Sequence, residues 1–394
     1  MEVILFFVDK PFVSDFFKKT VRDHGIPVVG TEVSQTLGLY PGTKIIAEAE
    51  AINTVLEPGE QLIYTTSENA LGWIIKNLAF SVLVEKINLF KNKVAFRELT
   101  RSLVPDFFFQ EVCFEDLINL PHPAKDLPLV IKPATGFMSE GVYKVKDAGD
   151  WEQTKKKILA EGERSKSHYP PEVVNASSLI IEECIQGEEF AVDAYFNGNG
   201  EAVILNILKH TFSSADDVGD RVYTSSKEII EENLLEFTEF STMIGQLAGV
   251  KYFPAHIELR RNPDGTLIPI EINPLRFGGW CTTADLTYHA YGFNPYVYYY
   301  SQLEPDWAEI LKDKAGKLYS IIILDNSTGI DSALITSFDY QKLLADFENP
   351  LELRKFDYRE YPVFGFLFTE TSSINEKELS QILISDLKEF ITIK

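Results

Sequence analysis

Residues 253–279 read FPAHIELRRNPDGTLIPIEINPLRFGG, and the fold turns on how this stretch is read. HIEL alternates polar and apolar residues, and so does LIPIEIN, which is the period of a half-buried strand. Between them NPDG has turn chemistry at every position. The stretch predicts a β-hairpin. On its first strand Ala255, Ile257 and Leu259 point one way, and His256, Glu258 and Arg260 the other. On its second, Ile268, Ile270 and Ile272 share one face, and Glu271 and Asn273 the opposite face. An even-numbered loop such as Asn262–Gly265 sets Glu258 on the face of Glu271 and Asn273, whereas a one-residue slip reverses every side chain. Two carboxylates opposed across a ladder repel. A hard divalent cation relieves them: Mg²⁺ takes oxygen ligands, accepts one or two carboxylates, and fills its other positions with water and nucleotide phosphates. The plainer alternative is a solvated hairpin face, common in antiparallel sheets. The rest of the chain decides between the two.

With 394 residues the chain is long enough for two or three domains. Its net charge of -22 argues against a nucleic-acid groove or an anionic membrane surface, both of which want a basic patch. Cys113, Cys184 and Cys281 are scattered, with no pair at zinc-ligand spacing, which suits a reducing cytoplasm better than a disulfide framework. MEVILFFVDK lacks the basic start and long apolar run of a secretory signal and reads as a first buried strand. No stretch approaches the ~20 apolar residues of a membrane span.

Residues 1 to about 90 alternate strand and helix, which predicts a parallel, doubly wound sheet. Val3–Val8 is its first strand, Ser14–His24 a helix, TKIIAEAEAINTVL another helix, and QLIYTTS a strand with Ser67 capping a helix over Ala70–Asn77. No G-x-G-x-x-G follows the first strand, so no dinucleotide site is read there. Lys93–Leu103 is an amphipathic helix with Lys91 and Lys93 at its start. A cation at a helix N-terminus opposes the dipole, which a local anion would rationalise. LVIK is a strand ending in Lys132, ATGFMSEG a loop of small residues, and GVYKV a return strand. Small residues let backbone N–H groups approach phosphate oxygens, but the order Lys-before-glycine, followed by strand, is not that of a P-loop. Trp151–Lys166 reads as a charged helix, Leu179–Ile181 as a buried strand, and NGNG as the turn of a further hairpin. KHTFSSADDVGDRVYTSS is irregular and polar, as substrate loops often are. Glu228–Ala248 is a helix packed by Ile229, Leu234, Phe237, Phe240, Ile244 and Leu247; VYYY reads as packing; and residues 317–394 read as a small α/β cap with no identified chemistry.

Taken in order, these pieces resemble the ATP-grasp superfamily, in its carboxylate–amine or carboxylate–thiol ligase branch. The resemblance covers residues 85–300 well, and the N-terminal unit by order of elements. It implies an α/β fold, α+β in the nucleotide-binding part: an N-terminal doubly wound domain (1–90), an ATP-grasp domain (91–300) with a hinged lid at about 125–186, and a C-terminal α/β subdomain (301–394). By the family's motifs, Lys93 and Lys132 look like the two phosphate-binding lysines. GFMSEG, with Gly136, Ser139 and Gly141, looks like the glycine-rich lid loop. IIEECIQGEEF resembles the hinge, where the Glu182 carbonyl, Glu183 and the Ile185 N–H would meet adenine and Glu189 the ribose. Glu258, Glu271 and Asn273 resemble the ligands of two Mg²⁺ ions, with Mn²⁺ an acceptable substitute. Arg276 stands three residues after Asn273, where several relatives carry arginine two residues on, and would clamp phosphate or carboxylate. Lys209 and His210 would contact the γ-phosphate. Gly278 and Gly279 either donate N–H groups to an oxyanion or make a turn.

The implied activity is an ADP-forming ligase. ATP phosphorylates a carboxylate, and an amine displaces phosphate from the acyl phosphate to form an amide. Positioning and charge neutralisation do most of this work. The partners expected are a small carboxylate and an amine, amino acids among them, with no nucleic acid and no membrane; a homodimer is compatible with this. In the polar loop Asp216, Asp217 and Asp220 offer acceptors to an ammonium, and Arg221 a donor to a carboxylate. Two alternatives stand: a bicarbonate-activating carboxylase of the same fold, and a non-catalytic ATP-binding regulator.

Overall fold

The computed structural model describes residues 3–57, 59–123, 128–135, 141–166, 178–214 and 219–394. By internal contacts the chain forms two compact units. One comprises Met1–Ser81, Glu188–Glu258 and Leu275–Lys394, the other Val82–Gly187 and Leu259–Pro274.

The first unit opens with β1 (Val3–Phe7), β2 (Val28–Val29), β3 (Ile45–Ile46) and β4 (Gln61–Thr65), all parallel in the order β3-β2-β1-β4. Ser14 caps the helix Asp15–Asp23 by accepting from the Phe17 N–H at 3.1 Å, and Phe17 and Val21 bury its apolar face. Two expectations fail here. TKIIAEAEAINTVL is not all helix: Ile45 and Ile46, both β-branched, pair with β2, and the helix begins only at Glu48. Nor does Ser67 cap the next helix, Asn69–Asn77. Glu68 holds the cap position without a side-chain bond, and the Ser67 hydroxyl is buried without a hydrogen-bond partner.

The second unit carries β5 (Phe109–Cys113), β6 (Leu129–Pro133), β7 (Tyr143–Val145) and β8 (Ser178–Glu183), antiparallel in the order β5-β8-β6-β7. Trp151 and Ile158 of the helix Ala148–Lys166 join Val112, Leu129, Ile131, Val145, Leu179 and Ile181 in one core. The helix expected to run to Leu103 spans Lys93–Thr100. The residue before Pro105 is biased away from helical geometry, so the chain leaves the helix in turns before it. A separate helix, Val82–Lys91, precedes it.

The chain returns to the first unit in β9 (Glu188–Phe196), β10 (Ala202–Thr211) and β11 (Val222–Ser226), then enters β12 (Phe253–Arg261), which passes into the second unit after Glu258. There the hairpin closes, with Asn262 N–H on Thr266 O at 2.9 Å, and β13 (Leu267–Pro274) follows. Ile268 and Ile270 pack with Val104, Phe107 and Ile185, which fixes the apolar face of the hairpin. The expected loop over residues 209–226 is shorter than read, because Thr211 still belongs to β10 and Val222–Ser226 pairs with it. The helix Lys227–Ala248 buries Ile230, Phe237, Phe240 and Ile244, whereas Leu247, expected inside, is exposed.

The longer strands of residues 317–394 do not form a separate sheet. β14 (Lys317–Asp325), β16 (Asn349–Lys355) and β17 (Val363–Ser372) continue the first unit's sheet as β12-β9-β10-β11-β14-β17-β16. Two short strands, β15 (Ile335–Phe338) and β18 (Ile391–Ile393), pair beside it. Among the described residues no helix is long and apolar enough to cross a membrane.

Candidate active site

In the second unit the charges gather on Glu182, near the end of the central strand β8. Its carboxylate is almost fully buried and meets Arg97 Nε at 2.8 Å and Lys132 Nζ at 2.5 Å. Burial alone would raise its pKa, but the two cations outweigh burial and hold it at about 2. Arg97 also donates to the Pro269 carbonyl on β13 and lies over the Phe107 ring at 4.5 Å; among the described residues its Nη2 is buried without a hydrogen-bond partner. Lys93 begins its helix after the cap Asn92, whose side chain accepts from Ala95 N–H at 3.0 Å. The Lys93 N–H donates to Ala134 O at 2.7 Å, which ties the helix start to the end of β6. Its ammonium stands 3.7 Å from Glu271 Oε2. Burial pulls the Lys93 pKa down, Glu271 opposes that, and Lys132 and Lys91 add to it. Asn273 is buried, and its amide N–H donates to Glu271 Oε1 at 3.2 Å; its side-chain carbonyl is an oxygen acceptor of the kind a hard cation takes.

The hinge stretch leaves β8 through Cys184, whose N–H donates to Pro128 O at 3.0 Å, and Glu183, whose N–H donates to Phe108 O at 3.2 Å. The Ile185 carbonyl accepts from Arg260 Nη1 at 2.6 Å. Gly141 has φ +74°, and a Cβ there would come within 3.3 Å of the Pro133 ring. Gly136 and Ser139 lie outside the described residues.

In the first unit, Glu258 on β12 lies 3.7 Å from His256 Nε2, and His256 Nδ1 bonds Asp193 Oδ1 of β9 at 2.7 Å. The strand-to-turn passage after β13 returns to this unit. Leu275, at φ +62°, accepts from Thr65 N–H at 2.7 Å and donates to Pro254 O at 2.8 Å. That sharp turn brings Arg276 beside the end of β4, where its Nη2 meets Glu68 at 2.9 Å and its Nη1 donates to Phe277 O, while Nε is buried without a partner. The Gly278 N–H is already given to Asp193 Oδ1 (3.0 Å) and Thr283 Oγ1 (2.8 Å), so it makes a turn and is no oxyanion donor. A Cβ on Gly278 would strike Thr283 at 2.4 Å, whereas Gly279 faces open space.

Other carried-over residues have partners of their own. Glu189 bonds His210 Nδ1 at 2.9 Å, and His210 Nε2 faces Gly219 O at 3.1 Å, with the Tyr223 ring stacked on it. Lys209 pairs with Glu188. Arg221, expected to hold a substrate carboxylate, is buried with its donors on Asp325, Ser327 and the carbonyls of Ile382 and Ser385, so it fastens the C-terminal segment. Asp220 accepts from Tyr223 at 2.8 Å; Asp216 and Asp217 lie outside the described residues.

The donor set fits a hard cation. Glu271 and Asn273 of the second unit offer a carboxylate and an amide oxygen, and neither is a soft ligand. Among the described residues no group of three or more His, Cys, Asp or Glu side chains gathers as a metal site.

Comparison with known proteins bears on this arrangement. Residues 125–284 match the family described as the ATP-grasp domain. An L-amino acid ligase from Bacillus licheniformis superposes with TM-score 0.70 at 20% identity, covering 99% of this chain and 98% of that one. A biotin carboxylase from Campylobacter jejuni, solved with an ATP analogue, gives 0.62 at 12% identity, covering 100% and 92%. An N5-carboxyaminoimidazole ribonucleotide synthetase from Thermotoga maritima gives 0.61 at 14%, covering 100% and 99%. No curated protein sequence matches the chain. Residues 125–284 are thus an ATP-grasp domain, and the chain as a whole has the ATP-grasp fold.

Sequence reasoning missed Arg97, Asp193 and Glu68. Arg97 could have been found, because it follows Lys93 by four residues and so shares its helix face. Asp193 is the lone charge in the apolar run FAVDAYF, and a buried charge in a strand needs a partner. Nothing local marks Glu68.

Proposed function

We propose that this protein is an ADP-forming ligase that joins a small carboxylate to an amine through an acyl phosphate. The observation that carries the reading is the placement of Lys93 and Lys132 in one unit with the hairpin residues Glu271 and Asn273. A buried and a half-buried ammonium group, Lys132 and Lys93, together with oxygen donors answer the needs of a nucleoside triphosphate, and this local field lets an acidic chain take an acidic ligand. Lys93 and Lys132 offset phosphate charge. The hinge at Glu182–Ile185 holds adenine, with Glu189 near the ribose. Glu258, Glu271 and Asn273 would hold Mg²⁺, which when bound neutralises charge developing between the transferring phosphates. Arg276 orients the carboxylate, whose oxygen attacks the γ-phosphorus; ADP leaves, and an amine then attacks the acyl carbon and expels phosphate.

Likeness to the L-amino acid ligase over nearly the whole of both chains supports amino acids as the acid and the amine. The biotin carboxylase among the similar structures supports bicarbonate as the competing acid. The discriminating experiment is a screen of amino-acid pairs, and of bicarbonate, for phosphate release from Mg²⁺–ATP. Release that requires an acid and an amine together supports the ligase. Release driven by bicarbonate favours the carboxylase, and tight ATP binding with no release under any pair favours a regulator.

A further inference from the structure

We infer that Asp193 and His256 are positioning residues that hold Glu258, and through Gly278 the Arg276 turn, in working geometry. Asp193 is fully buried in β9 and spends one oxygen twice, on His256 Nδ1 at 2.7 Å and on the Gly278 N–H at 3.0 Å. Among the described residues its second oxygen is buried without a hydrogen-bond partner. A carboxylate kept in the core at that cost is held there by what it anchors. The first anchor fixes the plane of the His256 ring, because Nδ1 must donate along the Asp193 bond. The opposite edge of the ring then stands 3.7 Å from Glu258 Oε1, beyond hydrogen-bond reach but close enough to limit where that carboxylate can swing. The second anchor fixes the backbone two residues after Arg276. One buried side chain thereby sets the register of a carboxylate on β12 and of the turn that follows β13.

Outer partners of this kind orient ligands without touching the ion, and losing them typically costs about 10- to 100-fold in metal affinity. The inference rests on the reading of Glu258 as a metal ligand, and the test separates the two. Mn²⁺ binding to the full chain with ADP is followed by the loss of the free-ion electron paramagnetic resonance signal. The proteins compared are wild type, Glu258→Gln, His256→Asn and Asp193→Asn. His256→Asn keeps an amide where Nδ1 meets Asp193 but removes the edge facing Glu258. Asp193→Asn keeps the shape and removes the charge. The expected result is that both bind Mn²⁺ about tenfold or more weakly, while their affinity for metal-free ADP stays within about twofold of wild type. Wild-type Mn²⁺ affinity in His256→Asn and Asp193→Asn, alongside loss in Glu258→Gln, overturns the positioning role alone. Wild-type affinity in Glu258→Gln overturns the ligand reading and this inference with it. If Asp193→Asn does not fold, His256→Asn decides the question.

Discussion

Glu182 shows how a few residues set the character of the second unit. Its carboxylate is held at about 2, against an ordinary 4.5, by Arg97 and Lys132 in spite of burial. A depressed carboxylate pKa stabilises the fold fully above the unfolded value, and that contribution is lost as pH falls through the folded one. Acid unfolding of this unit is therefore expected between pH 4.5 and about 2, and circular dichroism titration of wild type against Glu182→Gln measures it. Glu182→Gln leaves two buried cations uncompensated. Breaking such a pair typically costs ~3–5 kcal/mol, so a clearly lower denaturation temperature at pH 7 is expected. An unchanged midpoint would mean that Arg97 and Lys132 find other partners. Lys93 carries a second prediction. Burial lowers its pKa in the free protein, and bound phosphates should raise it again. At alkaline pH, ATP binding is then accompanied by proton uptake, and affinity falls as pH rises. Calorimetry in buffers of different ionisation heat reads this directly; uptake that persists unchanged in Lys93→Met would assign it to another group.

At the level of elements, one prediction belongs to the hairpin and one to the stretch that follows β8. Glu271 sits on β13 with its side chain between Lys93 and Asn273, while the apolar face of the same strand is buried by Ile268 and Ile270. Glu271→Gln is isosteric and spares that face, so turnover should vanish while the circular dichroism spectrum is retained; near-wild-type turnover would remove Glu271 from the metal set. The hinge prediction concerns base selection. Mg²⁺–ATP should raise the denaturation temperature, and Mg²⁺–GTP much less, since a ligand at a hundredfold excess over its Kd stabilises by ~2.7 kcal/mol. Equal shifts would locate base recognition elsewhere than Glu182–Ile185. These elements were legible because their signals are local: alternation flanking NPDG, NGNG between two strands, a lysine ending an apolar run. The failures were places where a local signal had a tertiary competitor. Ile45 and Ile46 sit in a helix-like sequence but are claimed by the edge of a sheet. Ser67 has the chemistry of a cap, yet the chain starts its helix one residue past Glu68. The stretch before β11 looks like a free loop until Arg221 is seen bonded to residues more than a hundred positions away.

Across the whole molecule, order along the chain told more than any single motif. The succession of parallel α/β layer, helix opening at Lys93, strand carrying Lys132 and hairpin around residues 262–265 was readable, and the ATP-grasp fold is what these pieces build. The contribution of residues 317–394 was not readable, because membership of a sheet depends on which strand lies alongside, and β14 finds its partner in β11 across some ninety intervening residues. The same limit applies to Asp193, Arg97 and Glu68, whose partners are distant in sequence. The central claim is that the protein transfers the γ-phosphoryl group of ATP to a carboxylate before an amide forms. The most direct measurement follows oxygen-18 from a labelled carboxylate during turnover with the acid and amine found by the screen. The account predicts one labelled oxygen in the released phosphate, and a hydroxamate when hydroxylamine replaces the amine. Unlabelled phosphate released together with the amide product would contradict it.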